Sequence, residues 1–351
     1  MAEATLDPSD GAPGNEVDRL RELVAAKDGD LDAAAATEDP YELAALVLDA
    51  TLIPDTDRYT LEQVSERAGV DPNAAIRLWR AMGFPDPEPE VCLAGDLDAQ
   101  ALATAIEYME GPGGLDNGVR QTRILAGALA RISELWIDEM RGALDLGLPP
   151  SMALEYALPR LDVERSTWIL GYVHRRLLAA GLRRELISRS TGASAHQAVA
   201  FADMVGFTTL SEELGALELS RLIETFEALA YDTVAALGGR VVKTIGDEVM
   251  FTSEQPSLVI DISEQLLSGC HERSLPELRI GAEFGVAVWY EGDLYGPAVN
   301  RAARMVAQAS PGTVIASRVV ADATPDRPWT DLGTHDLKGI GPTELYEHSP
   351  V

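Results

Sequence analysis

Cysteine is scarce in this sequence. Cys92 and Cys270 are the only two among 351 residues, and one lies in each half of the chain. Two isolated cysteines predict neither a disulfide framework nor a cluster of metal-ligating thiols. A chain without disulfides suits a reducing compartment, so we expect a cytoplasmic protein.

Long apolar runs are also missing. No segment approaches the roughly 20 consecutive apolar residues that a membrane-spanning helix requires. The N-terminal residues are acidic and lack the basic start and apolar stretch of a signal peptide. We therefore expect a soluble, intracellular chain with no stable membrane insertion.

Basic residues are outnumbered two to one. The chain has 28 Lys and Arg against 57 Asp and Glu, which gives a formal net charge of -29. Such a surface repels phosphate backbones and anionic lipid, so we expect no nucleic-acid partner. A polyanionic substrate would need metal ions and locally placed cations.

The remaining composition is typical of a folded soluble chain, with 46% apolar and 24% charged residues. The length favours two domains. Residues 1–16 are rich in Pro, Gly and acidic residues and predict a flexible tail. Helical spacing of apolar residues predicts a helical domain at 17–182, then a linker at 183–195 and a second domain at 196–351.

Within the helical part, residues 59–82 predict two short helices joined by a glycine turn, with Arg77 and Arg80 on the second helix. This pattern resembles the helix-turn-helix of DNA-binding regulators. An ordinary helical hairpin that packs Leu61 against Trp79 explains it as well, and the acidic surroundings favour that interpretation.

In the second domain the spacing of apolar residues is different, because runs rich in β-branched residues lie between helical stretches. Strands are predicted at 198–202, 240–245, 249–252, 278–288 and 313–316, and helices at 216–237, 257–272 and 296–309. The order β, α, β, β, α, β is that of the ferredoxin-like split unit, an antiparallel sheet with helices on one face. The predicted fold class is α+β, with an all-helical N-terminal domain before a ferredoxin-like domain.

A first candidate site lies at residues 201–209, where Asp203 and Met204 end a strand and a glycine turn leads into a helix at Phe207 and Thr208. Backbone N–H groups of such a turn can hold phosphate oxygens while the carboxylate holds a hard cation. Asp203 could instead simply cap the following helix.

A second candidate site lies at residues 238–251, where two strands meet at a tight turn with Asp247 at its tip and Lys243 four residues earlier. A carboxylate at a hairpin tip can share metal ions with a carboxylate on another loop. On its own, an acidic hairpin turn is usually only a turn.

A third candidate site follows at residues 291–305. Asn300 and Arg304 are four residues apart, so they share one face of a helix that begins soon after Asp293. An Asn beside an Arg can orient a ribose and stabilise charge on a transferring phosphoryl group. A solvated helix face is the other interpretation.

These three segments, in this order, resemble the class III nucleotidyl cyclases over nearly the entire C-terminal half. The resemblance implies that Asp203 and Asp247 bind two divalent cations, Mg or Mn, and that the carbonyl of Met204 adds a ligand. It assigns the cations to a two-metal mechanism in which the ribose 3'-hydroxyl attacks the α-phosphorus and pyrophosphate leaves.

The same resemblance implies the substrate-binding residues. Lys243 and Asp293 would read the purine, Asn300 would orient the ribose, and Arg304 would stabilise the transition state. Lysine donates and aspartate accepts, which matches N1 and N6 of adenine and not guanine, so ATP is the expected substrate. Lys338 resembles the phosphate-contacting lysine of the family, unless it is only an exposed hairpin lysine.

Each active site in the resembling family lies between two subunits. Because this single chain carries both the metal-binding and the purine-binding residues, the resemblance implies a homodimer with two equivalent sites. The arrangement of the chain also resembles bacterial pH-sensing cyclases with an autoinhibitory helical domain. His174 and His196 flank the predicted linker and are the candidates for sensing pH, although structural histidines are the more ordinary interpretation.

Two alternatives compete with this interpretation. A diguanylate cyclase would share the acidic hairpin at 245–248, but the doubled glycine before its aspartate is missing here. A catalytically silent, cyclase-like dimerisation module with a helix-turn-helix DNA-binding N-terminal half is the other. The filled catalytic positions argue against silence, and the net charge argues against DNA.

Overall fold

The computed structural model describes residues 13–54, 57–88, 90–92, 94–108, 114–160, 162–191 and 196–350. The chain divides into two compact units, Met1–Ala179 and Ala180–Val351. The predicted class is confirmed, because the first unit is helical and the second is built on a mixed sheet.

The described part of the first unit contains helices and, apart from one isolated bridge between Tyr59 and Ala94, no strand pairing. Its helices are α1 (Pro13–Ala26), α2 (Leu31–Ala36), α3 (Pro40–Leu52), α4 (Leu61–Ala68), α5 (Pro72–Ala81), α6 (Asp96–Tyr108), α7 (Gly114–Asp145) and α8 (Pro150–Ala157). A ninth, α9 (Val163–Thr191), begins in the first unit and ends in the second.

Local sequence explains where these helices begin. Asp39 accepts hydrogen bonds from the first N–H groups of α3, and Pro40 occupies the position where a missing N–H costs nothing. Thr60 and Gln63 form a reciprocal capping box at α4. The interior faces of α1, α3 and α8 then meet in a shared core that includes Leu20, Leu43, Val47 and Leu154, all fully buried.

Helix α1 begins within the segment that the sequence predicts as a flexible tail. Residues 1–12 of that tail lie outside the described residues, and α1 already begins at Pro13. Glu16 holds this first turn in place, because its carboxylate accepts from the Ser151 N–H at 2.7 Å and from the Ser151 hydroxyl at 2.6 Å. The boundary expected at residue 16 therefore falls inside a helix.

The predicted pair of short helices is present as α4 and α5, joined through Gly69 in a left-handed conformation (φ 67°). Leu61 is buried, as predicted for a helical hairpin. Arg80 forms an ion pair with Asp86 at 2.6 Å, and Arg77 forms one with Asp116. The two arginines that suggested a DNA-binding helix are thus engaged by acidic neighbours.

The linker expected at 183–195 is helical over most of its length, because α9 continues to Thr191. Residues 192–195 lie outside the described residues, and the two compact units divide between Ala179 and Ala180. The proposed limits of the two domains remain predictions. None of the described helices has the length and apolar character needed to cross a membrane.

The second unit consists of strands and helices in alternation. Its strands are β1 (His196–Met204), β2 (Arg240–Ile245), β3 (Glu248–Ser253), β4 (Leu278–Val286), β5 (Val288–Tyr290), β6 (Asp293–Tyr295), β7 (Thr313–Ser317), β8 (Trp329–Leu337) and β9 (Gly341–His348). Its helices are α10 (Phe207–Glu213), α11 (Ala216–Ala236), α12 (Pro256–Glu272), α13 (Pro297–Val306) and α14 (Arg318–Ala323).

Seven strands form one sheet in the order β2-β3-β1-β4-β7-β9-β8, and β5 and β6 form a separate hairpin. The four strands β2-β3-β1-β4 are antiparallel, as the ferredoxin-like prediction requires. The β4–β7 pair is parallel, so the complete sheet is mixed. Strand β1 lies between β3 and β4, which places its C-terminal end beside the β2–β3 turn.

The two faces of the sheet have separate cores. Alternate residues of β1, including Ala200 and Ala202, pack with residues of α11 and α12 in the main core. The residues between them, including Phe201, pack with Ala302 and Val306 of α13. Helices therefore cover both faces, which differs from the one-sided arrangement expected from the sequence. Helix α13 brings the third candidate segment onto the face to which Phe201 points.

Candidate active site

The first two candidate segments meet at the end of β1. Asp203 lies opposite Glu248 of β3 in the sheet register. The Met204 N–H donates to the carbonyl oxygen of Asp247 at 3.2 Å, and Gly246 gives the β2–β3 turn its left-handed residue (φ 62°). Sheet pairing and turn geometry thus bring together two aspartates that are 44 positions apart in the sequence.

The carboxyl groups of Asp203 and Asp247 lie close enough to repel each other when both are ionised. The pKa of Asp203 is raised, first by partial burial and then by the negative charge of Asp247. The pKa of Glu248 is raised as well, by burial and then by Asp203 and Asp247. This concentration of negative charge is what a hard divalent cation neutralises.

The aspartate pair fits a metal that is also held by other oxygen ligands. In the described part of the chain, no group of three or more His, Cys, Asp and Glu side chains has the arrangement of a metal site. A cation at Asp203 and Asp247 would need backbone oxygens, water or substrate phosphates to complete its shell, as Mg²⁺ commonly does.

Arg279 is a residue at this site that the sequence analysis missed. It lies directly opposite Asp203 on β4, and its positive charge opposes the rise in the Asp203 pKa. Its Nε is buried and has no hydrogen-bond partner among the described residues. A buried guanidinium nitrogen without a partner is costly, so its position beside the carboxylates suits an anionic group of a ligand. Only the sheet register reveals this residue.

Lys243 and Asp293 form an ion pair, with Nζ and Oδ2 2.5 Å apart. A bulge at Val242 in β2 shifts the register before Lys243, and bulges commonly redirect a side chain in this way. Asp293 opens β6, and its second oxygen accepts from the Leu294 N–H at 2.8 Å. Both side chains are only partly exposed, at 37% and 25%. The pair is a ready donor and acceptor 50 residues apart in sequence.

Asn300 and Arg304 lie on the exposed side of α13. The opposite side packs against the sheet through Ala298, Ala302 and Met305. Among the described residues, neither the Asn300 amide nor the Arg304 guanidinium has a hydrogen-bond or ion-pair partner for its side chain. Both groups are therefore available to a ligand or to another subunit.

The other predicted residues lie at varied positions. Phe207 begins α10, and its ring packs against the main core, while Thr208 is exposed one residue later. Lys338 is exposed in the turn between β8 and β9. Strand β8 is at the opposite edge of the sheet from β2, so the fold of one chain does not bring Lys338 to the β2–β3 turn.

The sequence matches known proteins over both halves. A family model described as the adenylate and guanylate cyclase catalytic domain matches residues 192–347. An adenylate cyclase from Streptomyces coelicolor is 34% identical over 314 residues, which cover 83% of this chain and 77% of that protein. The chain belongs to the class III adenylate cyclase family.

Two further comparisons describe this cyclase's relatives. A protein named pH-sensitive adenylate cyclase from Mycobacterium tuberculosis is 30% identical over 336 residues, covering 88% of this chain and 81% of that protein. A solved structure from Silicibacter pomeroyi, described as an adenylate/guanylate cyclase/hydrolase, is 30% identical and covers 44% of this chain and 96% of that one, with a TM-score of 0.39.

The matches reach beyond the catalytic domain of the cyclase. The family model covers only residues 192–347, which is less than half of the chain. An alignment that covers 83% of the chain must therefore include much of the helical unit. The family membership also decides between an adenylate cyclase and a diguanylate cyclase, and the diguanylate cyclase alternative is wrong.

The two candidate pH-sensing residues of this cyclase are both exposed. His174 lies on α9, and His196 is the first residue of β1, with its ring centroid 5.8 Å from that of Phe284. Their role in regulation stays a prediction.

Proposed function

We propose that the chain converts ATP to 3',5'-cyclic AMP and pyrophosphate in a homodimer that uses two divalent cations, Mg or Mn. The Lys243–Asp293 ion pair carries this proposal, because the family includes both adenylate and guanylate cyclases. A lysine donates to N1 of adenine and an aspartate accepts from its N6 amine, whereas guanine presents a donor at N1 and an acceptor at O6.

The remaining residues have roles that follow from their chemistry. Asp203 and Asp247, with the carbonyl of Met204, would hold the cations. When bound, these ions supply neutralisation of the triphosphate and a lower pKa for the ribose 3'-hydroxyl. Arg279 lies beside the aspartates and would contact phosphate oxygens of the same triphosphate. The backbone at Phe207 and Thr208 would cradle the phosphates from the other side.

Asn300 and Arg304 act on the reacting part of the substrate. The Asn300 amide would hold the ribose so that its 3'-oxygen faces the α-phosphorus. The Arg304 guanidinium would stabilise negative charge that increases on the α-phosphoryl oxygens in the transition state. Lys338 would neutralise the departing pyrophosphate.

The homodimer is supported by the exposed groups of a single chain. Asn300 and Arg304 have no side-chain partner among the described residues, and apolar side chains are exposed on the β2–β3 and β5–β6 hairpins. Ile245 is 56% exposed at the end of β2, and Val288 is 55% exposed on β5. Burying such residues against a second copy removes apolar surface from water. In the proposed dimer, each site takes the metal-binding residues from one protomer and the purine, ribose and phosphoryl residues from its partner.

The decisive experiment measures cyclic AMP formed from ATP by the full chain in the presence of Mn²⁺. Asp247→Asn is expected to lower kcat by about 100-fold or more, because the amide cannot replace a carboxylate that holds a cation. Asp322→Asn changes an exposed acidic residue of α14 in the same way and should leave the rate unchanged. A folded wild-type chain that forms no cyclic AMP would support the silent-module alternative instead.

We propose further that the helical unit restrains the catalytic domain in a pH-dependent way. The similarity to a relative named pH-sensitive adenylate cyclase and the exposed His174 and His196 support this regulation. Activity of the full chain and of a chain that starts at Ser190 should be compared at pH 6 and pH 8. Regulation predicts a pH dependence that only the full chain shows and that replacing both histidines removes; an identical profile in both chains contradicts it.

The cytoplasmic location and the absence of a nucleic-acid partner belong to the same proposal. The net charge of -29 and the engagement of Arg77 and Arg80 by Asp116 and Asp86 support the second. Salt-sensitive binding of genomic DNA fragments in a gel-shift experiment would contradict it.

A further inference from the structure

Glu283 is a fully buried carboxylate beneath α13, with only 2% of its surface exposed. Its Oε1 accepts from the Phe284 N–H at 2.8 Å and from the Ser317 hydroxyl at 2.6 Å. Its Oε2 accepts from Nε of Arg301 at 2.7 Å. A buried charge is tolerated only when it is paired and hydrogen-bonded, and here three donors from three parts of the fold supply that pairing.

The three donors connect the elements that surround α13. Glu283 and Phe284 belong to β4, Ser317 ends β7, and Arg301 lies in the second turn of α13. Gly285 leaves space for the arginine, since a Cβ atom at that position would lie 3.3 Å from Nη2 of Arg301. The guanidinium therefore crosses a gap in the β4 surface that a larger residue would narrow.

Apolar packing beneath α13 is close, and two of the four buried residues of the helix are alanines. The buried residues of α13 are Ala298, Ala302, Met305 and Val306, and the helix backbone lies so near the sheet that a Cβ on Gly281 would be 2.4 Å from the Ala302 carbonyl. The small side chains of Ala298 and Ala302 allow this close approach, but they interlock less than large ones and contribute little to fixing the rotation of the helix. The Arg301–Glu283 bond is directional and charge-assisted, so it can define that rotation.

The position of Arg301 makes this rotation relevant to chemistry. Arg301 follows Asn300 directly and precedes Arg304 by three residues on the same helix. A turn of α13 about its axis would move both of those side chains relative to a bound nucleotide. Misplacement by about 1 Å can cost an enzyme roughly 100-fold in rate.

We propose that Arg301 and Glu283 are positioning residues of the reaction, which orient α13 so that Asn300 and Arg304 meet the ribose and the α-phosphoryl group. This inference rests on the proposed adenylate cyclase function. It adds an ion pair, Arg301–Glu283, whose carboxylate is buried and which acts through Asn300 and Arg304 on the same helix.

The test uses the full chain, ATP and Mn²⁺, with rates expressed per folded protein. Arg301→Met should lower kcat roughly 10- to 100-fold while KM for ATP changes little, because Arg304 acts mainly in the transition state. Arg301→Lys should lose less of the rate than Arg301→Met, since lysine keeps the positive charge but lacks the planar, multiply donating guanidinium group. Arg318→Met is the matched control, because it removes an exposed pair, Arg318–Glu344, from the same unit.

A combined variant separates positioning from a general loss of stability. In a background that carries both Asn300→Ala and Arg304→Ala, Arg301→Met should reduce kcat by less than about threefold further, because both side chains through which it acts are already removed. Full multiplication of the two effects would overturn the inference, as would a wild-type kcat in folded Arg301→Met protein. Should Arg301→Met fail to fold, Arg301→Lys and Ser317→Ala provide the same comparison.

The outcome also distinguishes this inference from the proposed function. Cyclic AMP formed by the wild-type chain together with normal kcat in the Arg301 variants would remove the positioning role and leave the cyclase intact. A folded wild-type chain without product would remove both.

Discussion

At the scale of single residues, the Lys243–Asp293 pair makes a direct prediction about substrate choice. Exchanging the two charges, as Lys243→Glu with Asp293→Lys, puts an acceptor where adenine N1 needs a donor and a donor where N6 needs an acceptor. The ratio of kcat/KM for ATP to that for GTP should fall by about 10-fold or more, because a mismatched polar group is left unpaired. Competition assays with both nucleotides measure that ratio. An unchanged ratio in a folded exchange variant would show that the pair does not read the base.

The two cysteines predict different reactivities. Burial raises the pKa of Cys270 to about 11, well above the usual range of a cysteine thiol, so this thiol stays protonated and inaccessible at pH 8. Cys92 is exposed. One thiol per chain should react with an alkylating reagent in the native protein and two after denaturation. Two rapidly reacting thiols in the native chain would contradict the buried position of Cys270.

The same raised pKa has a consequence for stability. Above about pH 9 the unfolded thiol loses its proton while the folded one keeps it, so the unfolded state binds fewer protons. The free energy of unfolding contributed by Cys270 therefore falls as the pH rises from about 9 to about 11. Cys270→Ala should show a shallower decline over this interval in urea unfolding experiments.

At the scale of elements, the limits of helices and strands were predicted best where turn-forming residues flank a regular spacing of apolar residues. Strand β2 was predicted with its observed limits, and α11 and α12 agree to within a residue at each end. The hairpin β5–β6 and the strands β8 and β9 were not predicted. Strands of three residues, such as β5, carry too few positions for a period to be recognised. β8 is largely exposed, so its sequence shows no clear apolar alternation.

The pairing of strands distant in sequence places several residues of the site, and the local sequence does not show this placement. The contact between Asp203 and Asp247 was expected from the motifs, but Arg279 and Glu283 join the site only because β4 pairs with β1 and lies under α13. Nothing in the local sequence of Arg279 distinguishes it from a surface arginine. The position of Lys338 on a distant strand edge follows from the same topology.

The close approach of α13 to the sheet makes a prediction about a single glycine. Gly281→Ala would place a methyl group 2.4 Å from the Ala302 carbonyl and 2.6 Å from the Val306 N–H, so α13 must move outward. We expect the free energy of unfolding to fall by about 1–3 kcal/mol, the usual cost of overpacking. The rate of the folded variant should fall as well, because Asn300 and Arg304 move with the helix.

A helical glycine with free space around it is the control for that change. Gly142 lies in α7, and a Cβ there would meet no atom within 4 Å. Gly142→Ala should raise the free energy of unfolding by about 0.5–1 kcal/mol, because alanine loses less backbone entropy in a helix. Thermal and urea unfolding of both variants measure the contrast. Equal stability of the two variants would mean that α13 does not lie as close to β4 as the structure places it.

At the scale of the whole molecule, the proposed dimer determines which residues work together. The proposed site joins Asp203 and Asp247 of one protomer with Lys243, Asp293 and Arg304 of its partner. In a mixed dimer of Asp247→Asn and Arg304→Ala chains, one site therefore receives both defects and the other receives neither. Two inactive proteins should regain activity when they are mixed and allowed to exchange subunits.

The fraction of the wild-type rate expected from this mixture can be calculated. Random exchange makes half of the dimers mixed, and each mixed dimer has one intact site out of two, so about one quarter of the wild-type rate should return. Mixing Asp247→Asn with Asp203→Asn is the control and should restore nothing, because both defects belong to the metal-binding half and every site keeps one of them. Recovery in the control, or none in the first mixture despite confirmed subunit exchange, would mean that each chain completes its own site.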